Sequence, residues 1–266
     1  MKSIRLGNKI VQTLVRDRMY YPDRLIVDTS GIIARCGVLL ILYWYVFSLN
    51  NGVINNTTYI VAAWSMFFYF AFHILRISGV ARMIMQDVQS GNVEILFSKP
   101  VSYLSYRMWW QVGAGLYPFL VISLVGAVAL ALIVGLPATM SVGIFIPTII
   151  LVVFLGTLLS LFLYAVVGLL AFWIEDINPV FWVVDKAVMI LGGSYLPVAL
   201  FPDFMYKIAL WSPFGASQFI THTVHETWAT EWGMKIEIQV FWILATAIIV
   251  SVLFAKAREK VSVNGG

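Results

Sequence analysis

Two long stretches of this chain carry no formal charge. No Asp, Glu, Lys or Arg occurs between Arg35 and Arg76, nor between Arg107 and Glu175. A helix that crosses a bilayer needs about 20 consecutive, mainly apolar residues. Each gap therefore holds two spans, and two further apolar runs, Pro179–Leu200 and Ile236–Ala255, bring the expected total to six. Composition points the same way. The chain is 61% hydrophobic and 11% charged, whereas soluble domains are near half apolar and about a quarter charged. So little charge cannot coat a water-facing surface, and the apolar excess must face lipid. The expectation is an all-α integral membrane protein forming a single transmembrane domain over residues 1–266.

The spans are punctuated by turn signals. The first, Gly31–Ser48, ends at Asn50-Asn51-Gly52, and the second covers Tyr59–Ile77. The third runs to Gly135-Leu136-Pro137-Ala138-Thr139. The fourth returns through Leu161–Trp173 to Glu175-Asp176-Ile177-Asn178-Pro179, the fifth reaches Leu200, and the sixth ends in Lys256, Arg258 and Lys260. Most Lys and Arg fall at the N-terminus, between Ser78 and Arg107, and at the C-terminus. The opposite side has only Lys207 and Lys235, both in its third loop. The positive-inside rule then puts both termini in the cytoplasm of a multi-pass inner- or plasma-membrane protein. The net charge of +4 reflects this topology and gives no reason to expect a nucleic-acid partner.

Residues 1–30 carry Lys2, Arg5, Lys9, Arg16, Arg18 and Arg24 and lack the apolar core of a cleaved leader. They read as a helix lying in the cytoplasmic interface, with a plain orienting tail as the alternative. The single cysteine, Cys36, leaves no intrachain disulfide to form.

Enzyme motifs are missing. No Gly is followed by Lys, so there is no phosphate loop, and there is no His-Glu-x-x-His. His222 and His225 lie three apart beside Glu226, but two imidazoles without a clear third ligand are a weak metal site. The ordinary reading is polar residues near the outer interface. Asn55 and Asn56 each match the short glycosylation pattern, which recurs by chance.

The most informative stretch runs from Gln86 to Ser102. It reads as a short helix, a break at Gly91, a second amphiphilic piece presenting Ile95, Leu96 and Phe97 among charges, and a stop at Pro100. Apolar residues exposed there need headgroups or a protein partner.

Here the sequence resembles the permease subunits of ABC-2-type exporters. The run SGNVEILFSKPVSYLSY is similar to the family's pattern between the second and third spans, and FWIEDI, LPVALFP and SPFGA follow in the family's order. The resemblance implies a transmembrane half that pairs with a separate ABC ATPase subunit and with a second permease half, identical or homologous. ATP and Mg would be bound by the ATPase, with no cofactor on this chain. It further implies that the cytoplasmic segment 78–103 is a coupling helix docking on that ATPase, with Asp87, Gly91, Glu94, Lys99 and Pro100 at or beside the contact. The plain alternative is that these residues cap a solvated helix.

The same resemblance makes residues 201–233 a short outer-side helical hairpin, re-entrant and closing the exit path, with Phe201, Pro202, Pro213 and Phe214 at the gate. An aromatic interface belt is the simpler alternative. Asp185 and Lys186 lie about two turns into the fifth span, where charge is expensive. They line a translocation path or sit at a subunit interface. Small residues such as Gly113, Gly115 and Gly168 suit close helix crossings. A secondary transporter run by an ion gradient and an intramembrane enzyme are the other function classes. The first would show more buried acids or broken helices, the second clustered His, Asp or Cys. The substrate is not readable from the residues.

Overall fold

The computed structural model describes residues 2–20, 23–97, 101–137 and 142–264. Helix α1 (Lys2–Tyr20) precedes α2 (Asp23–Leu49). A minimal hairpin of β1 (Val53–Ile54) and β2 (Thr57–Thr58) leads into α3 (Tyr59–His73), α4 (Gly79–Gln89) and α5 (Asn92–Phe97). Two long helices follow, α6 (Tyr103–Ile133) and α7 (Val142–Leu169). The chain then forms α8 (Asn178–Leu191), α9 (Asp203–Trp211), α10 (Pro213–Ala216) and α11 (Trp228–Asn264).

The chain is a helical membrane protein. Among the described residues four helical stretches are long and apolar enough to cross a bilayer: Ser30–Leu49, Tyr103–Ile133, Gly143–Phe172 and Trp228–Lys260. The other two expected spans are shorter than the sequence suggests. The second stops at His73, giving a helix of 15 residues, and the fifth stops at Leu191, giving 14. At about 1.5 Å per residue these helices reach only roughly 20 Å, against a hydrocarbon core of about 30 Å.

The short hairpin has a local cause. Asn55 and Asn56 form the two-residue turn of the hairpin, both at positive φ (48° and 57°). Asn tolerates that left-handed conformation better than other side chains do.

Helix α3 is the centre of the bundle. Every residue from Val61 to Phe72 is buried, as expected for a helix that is apolar on all sides. Thr58 caps it by accepting a hydrogen bond from the Val61 N–H at 3.4 Å. Trp64, Phe67 and Phe68 join α7 in the main core, while Ala62, Met66 and Tyr69 close a second cluster with Tyr43 and Phe47 of α2.

The stretch expected to lie wholly in the interface, residues 1–30, is divided. Only α1 is separate, because α2 already begins at Asp23. α1 lies along the first third of α6. A Cβ on Gly113 would come within 2.9 Å of Leu14, and one on Gly7 would strike the Trp109 ring. The glycines that the sequence marks for close approach do mark crossings. A Cβ on Gly115 would stand 2.5 Å from the Leu75 carbonyl oxygen, and one on Gly168 would stand 2.9 Å from Ala81 Cα.

These crossings set a stability test. Gly115→Ala forces backbone apart and should destabilise the protein by about 1–3 kcal/mol, whereas Gly143→Ala, with open space around it, should not. Thermal unfolding in mild detergent compares the two. Equal melting temperatures would mean that α6 does not sit against the Leu75 backbone.

Candidate functional site

The α4–α5 segment stands where the coupling helix is expected, but its residues divide differently. Asp87 is not presented to a partner. It is buried, at 6% exposure, and ties α4 to the start of α6. The Tyr103 hydroxyl donates to Asp87 Oδ2 at 2.6 Å, Arg107 Nε donates to the same oxygen at 2.7 Å, and Arg107 Nη2 donates to Oδ1. Such a two-pronged guanidinium–carboxylate contact fixes orientation as well as contributing energy.

Gly91 ends α4 at φ +72° in open space, a left-handed stop that suits glycine. Of the three apolar residues expected on the surface, only Ile95 is exposed, at 63%. Leu96 and Phe97 are half-buried. Phe97 stacks on Phe172 and meets Tyr103 and Phe254 edge-on, with ring centres 5.3–6.2 Å away. Packing against the bundle removes two of the three residues from the surface and leaves Glu94 and Ile95 facing outward. Lys99 and Pro100 lie outside the described residues.

The second feature is a break between α3 and α4. The chain unwinds over Ile74–Ser78, with Arg76 at φ +50°. Gln111 of α6, buried at 8%, donates through Nε2 to the carbonyls of Arg76 (2.8 Å) and Leu75 (3.3 Å). Buried backbone freed from a helix needs partners of this kind.

Beside the break opens a cavity of about 500 Å³, walled by Arg18 of α1, Arg76, Arg82 of α4, Gln111, and Phe181 and Asp185 of α8. A second cavity of about 580 Å³ reaches Arg35, Tyr69, Lys186 and Tyr195, and His73 and Asp185 line both. Asp185 accepts a hydrogen bond from the Tyr164 hydroxyl at 3.0 Å. Lys186 lies 4.9 Å from the centre of the Trp182 ring. The two charges thus face different partners, as their 100° separation on a helix requires.

The third feature is the outer segment. Phe201 is buried, Pro202 is exposed, and Pro213 and Phe214 are half-buried. Residues 215–224 are buried throughout, and their carbonyls find partners on neighbouring helices. Gln239 Nε2 donates to Ala216 and Ser65 Oγ to Thr221, each at 2.9 Å, and just before this run Trp242 Nε1 donates to the Trp211 carbonyl at 3.0 Å.

The helix expected to begin after residue 233 begins at Trp228. Lys235 is therefore not a loop cation. It is 1% exposed and paired with Glu231 one turn earlier, Nζ to Oε2 at 2.5 Å. His222 and His225 lie together, ring centres 5.8 Å apart. Among the described residues no group of three His, Cys, Asp or Glu could hold a metal. Burial foremost, with the Lys235 ammonium beside it, pushes the His225 imidazole down to about 4.

Sequence reasoning missed Gln111, His73, Arg82 and Tyr164. Gln111 carried a signal, being a lone amide inside a charge-free gap. The others are named only by what the fold brings opposite them.

Two outcomes follow from these contacts. Asp87→Ala leaves the Arg107 guanidinium without its partner and should cost about 3 kcal/mol. A double-mutant cycle with Arg107→Ala, read by thermal unfolding, should recover a large part of that cost. His225 is neutral when folded, and its folded pKa lies below its unfolded value. The unfolded chain therefore takes up the proton first, so stability is retained above about pH 6.5 and declines as pH falls from there to about 4. His225→Asn should flatten part of that slope in melting curves taken between pH 7.5 and 4.5. Compared with known protein families and with curated proteins, the sequence matches none.

Proposed function

We propose that this chain is the permease half of an ATP-driven exporter of the ABC-2 type, moving a small or amphipathic substrate out of the cytoplasm. It works with a separate ATPase subunit, which binds the ATP and Mg, and with a second permease half that supplies the other wall of the path. On this reading the chain does not hydrolyse ATP. It crosses the inner or plasma membrane six times through α2, α3, α6, α7, α8 and α11, with both termini cytoplasmic. The short α3 and α8 are extended by the unwound residues that follow each of them. The outer segment 201–233 then acts as a re-entrant hairpin over the exit.

The observation that carries the reading is the construction of α4–α5. The Asp87–Arg107 clamp and the Phe97 aromatic cluster fix this segment rigidly to α6, α7 and α11. Glu94 and the 63%-exposed Ile95 face away from the bundle. A solvated cap needs neither the rigid mounting nor an outward isoleucine, whereas a docking surface needs both. Alternating access would pass closure of the ATPases through α4–α5 to the bundle.

One observation favours a second reading. The broken α3–α4 helix beside His73 and Asp185 resembles the discontinuous helices that bind ions in gradient-driven transporters.

Affinity purification in mild detergent separates the two. Tagged wild-type protein should bring down an ATPase with a phosphate loop, and Ile95→Asp should reduce its recovery at least tenfold while leaving the folded permease yield unchanged. Transport that survives ATP depletion but stops when the ion gradient is dissipated would overturn the exporter reading.

A further inference from the structure

We infer that the cavity at the α3–α4 break is a binding site for an oxyanion, a phosphate or carboxylate, carried on the headgroup of an amphiphile. The inference concerns this chain alone and holds whether ATP or an ion gradient drives it.

Three guanidinium groups from three different parts of the fold, Arg18 of α1, Arg76 of the break and Arg82 of α4, line one space of about 500 Å³. Asp185 is the one carboxylate among the lining residues, so the three guanidinium groups outnumber the negative charge there. Among the described residues neither Arg18 nor Arg82 has an ion-pair partner. Arg82 sits 4.6 Å from the centre of the Phe181 ring, a contact that orients a guanidinium without neutralising it. Arg35 and Lys186 add further positive charge around His73. A cleft lined mainly by one sign of charge draws in ions of the other sign. Arginine's planar fork suits two-pronged contact with an oxyanion.

Beside the charges the wall carries the apolar Ile74, Ala114, Pro118 and Phe181 together with the polar His73, Ser78 and Gln111. That pairing fits a ligand with a charged head and an apolar body. The cavity also opens next to α1, the basic helix expected at the interface, where anionic headgroups concentrate.

The test uses the full chain in phosphatidylcholine nanodiscs with graded phosphatidylglycerol, and separately with inorganic phosphate. Bound lipid is read by native mass spectrometry after extraction. Wild type should retain phosphatidylglycerol over phosphatidylcholine by about tenfold or more. The pair Arg18→Gln with Arg82→Gln should lower that preference about tenfold or more, the expected loss for charge-assisted contacts. Arg82→Lys should restore part of it, and Lys207→Gln on α9 should change nothing.

If the double variant does not fold, the wild type still decides the matter. Phosphatidylglycerol should protect Arg18 and Arg82 from phenylglyoxal modification. Protection by lipid alone assigns a headgroup, and equal protection by millimolar inorganic phosphate assigns a free oxyanion. Protection by neither, or a lipid preference unchanged in the folded double variant, overturns the site.

Discussion

Where a helix breaks, its buried backbone loses hydrogen-bond partners, and here one side chain supplies replacements. The Gln111 amide donates to two carbonyls where α3 unwinds, those of Leu75 and Arg76, the second of which also accepts the Gly79 N–H. Its neighbours are shaped around it. Gly79 leaves room for the Gln111 carbonyl oxygen, since a Cβ there would lie 2.6 Å from it, and Gly115, one turn further along α6, lets the Leu75 backbone pass against the helix. A buried amide or carbonyl left without a partner costs about 1–3 kcal/mol.

The same face of α6 holds the far end of α4. Tyr103, Arg107, Gln111 and Gly115 are spaced four apart and so form one stripe along the helix. The first two grip Asp87 at the end of α4, and the last two hold the break at its start. α4 is thereby fastened to α6 at both ends, and its middle lies against α7 where Gly168 meets Ala81. Glu94 and Ile95 belong to α5, which joins this pinned segment through Gly91, so on the proposed exporter reading force applied there would be passed toward the break.

The sequence shows some of this and conceals the rest for physical reasons. Charge-free gaps locate the long helices because lipid sets both their length and their polarity. Glycines locate the crossings because nothing larger fits. The break was hidden. Ile74-Leu75-Arg76-Ile77-Ser78 has no Gly or Pro and reads locally as helix, and its cause lies on α6, about 35 residues away. Asp87 read as a surface residue because its partners, Tyr103 and Arg107, belong to the next helix. Lys235 read as a loop cation because a lysine ordinarily ends an apolar run. Only the i,i−4 pairing with Glu231 allows the helix to begin at Trp228, with that charge buried inside it.

The cavity and the break have a common rationale. A continuous α3–α4 helix would bury its backbone and direct Arg76 and Arg82 along separate faces, 100° apart per residue. Unwinding five residues costs helical hydrogen bonds, and the left-handed Arg76 adds backbone strain. Such strain persists only where surrounding contacts over-determine it, and it gathers at sites that bind. Here the strained residue is also one of the three arginines that line the cavity with Asp185 and His73. The backbone therefore sacrifices regularity at the point where it gathers positive charge, which is the expected sign of a site built for a negative ligand.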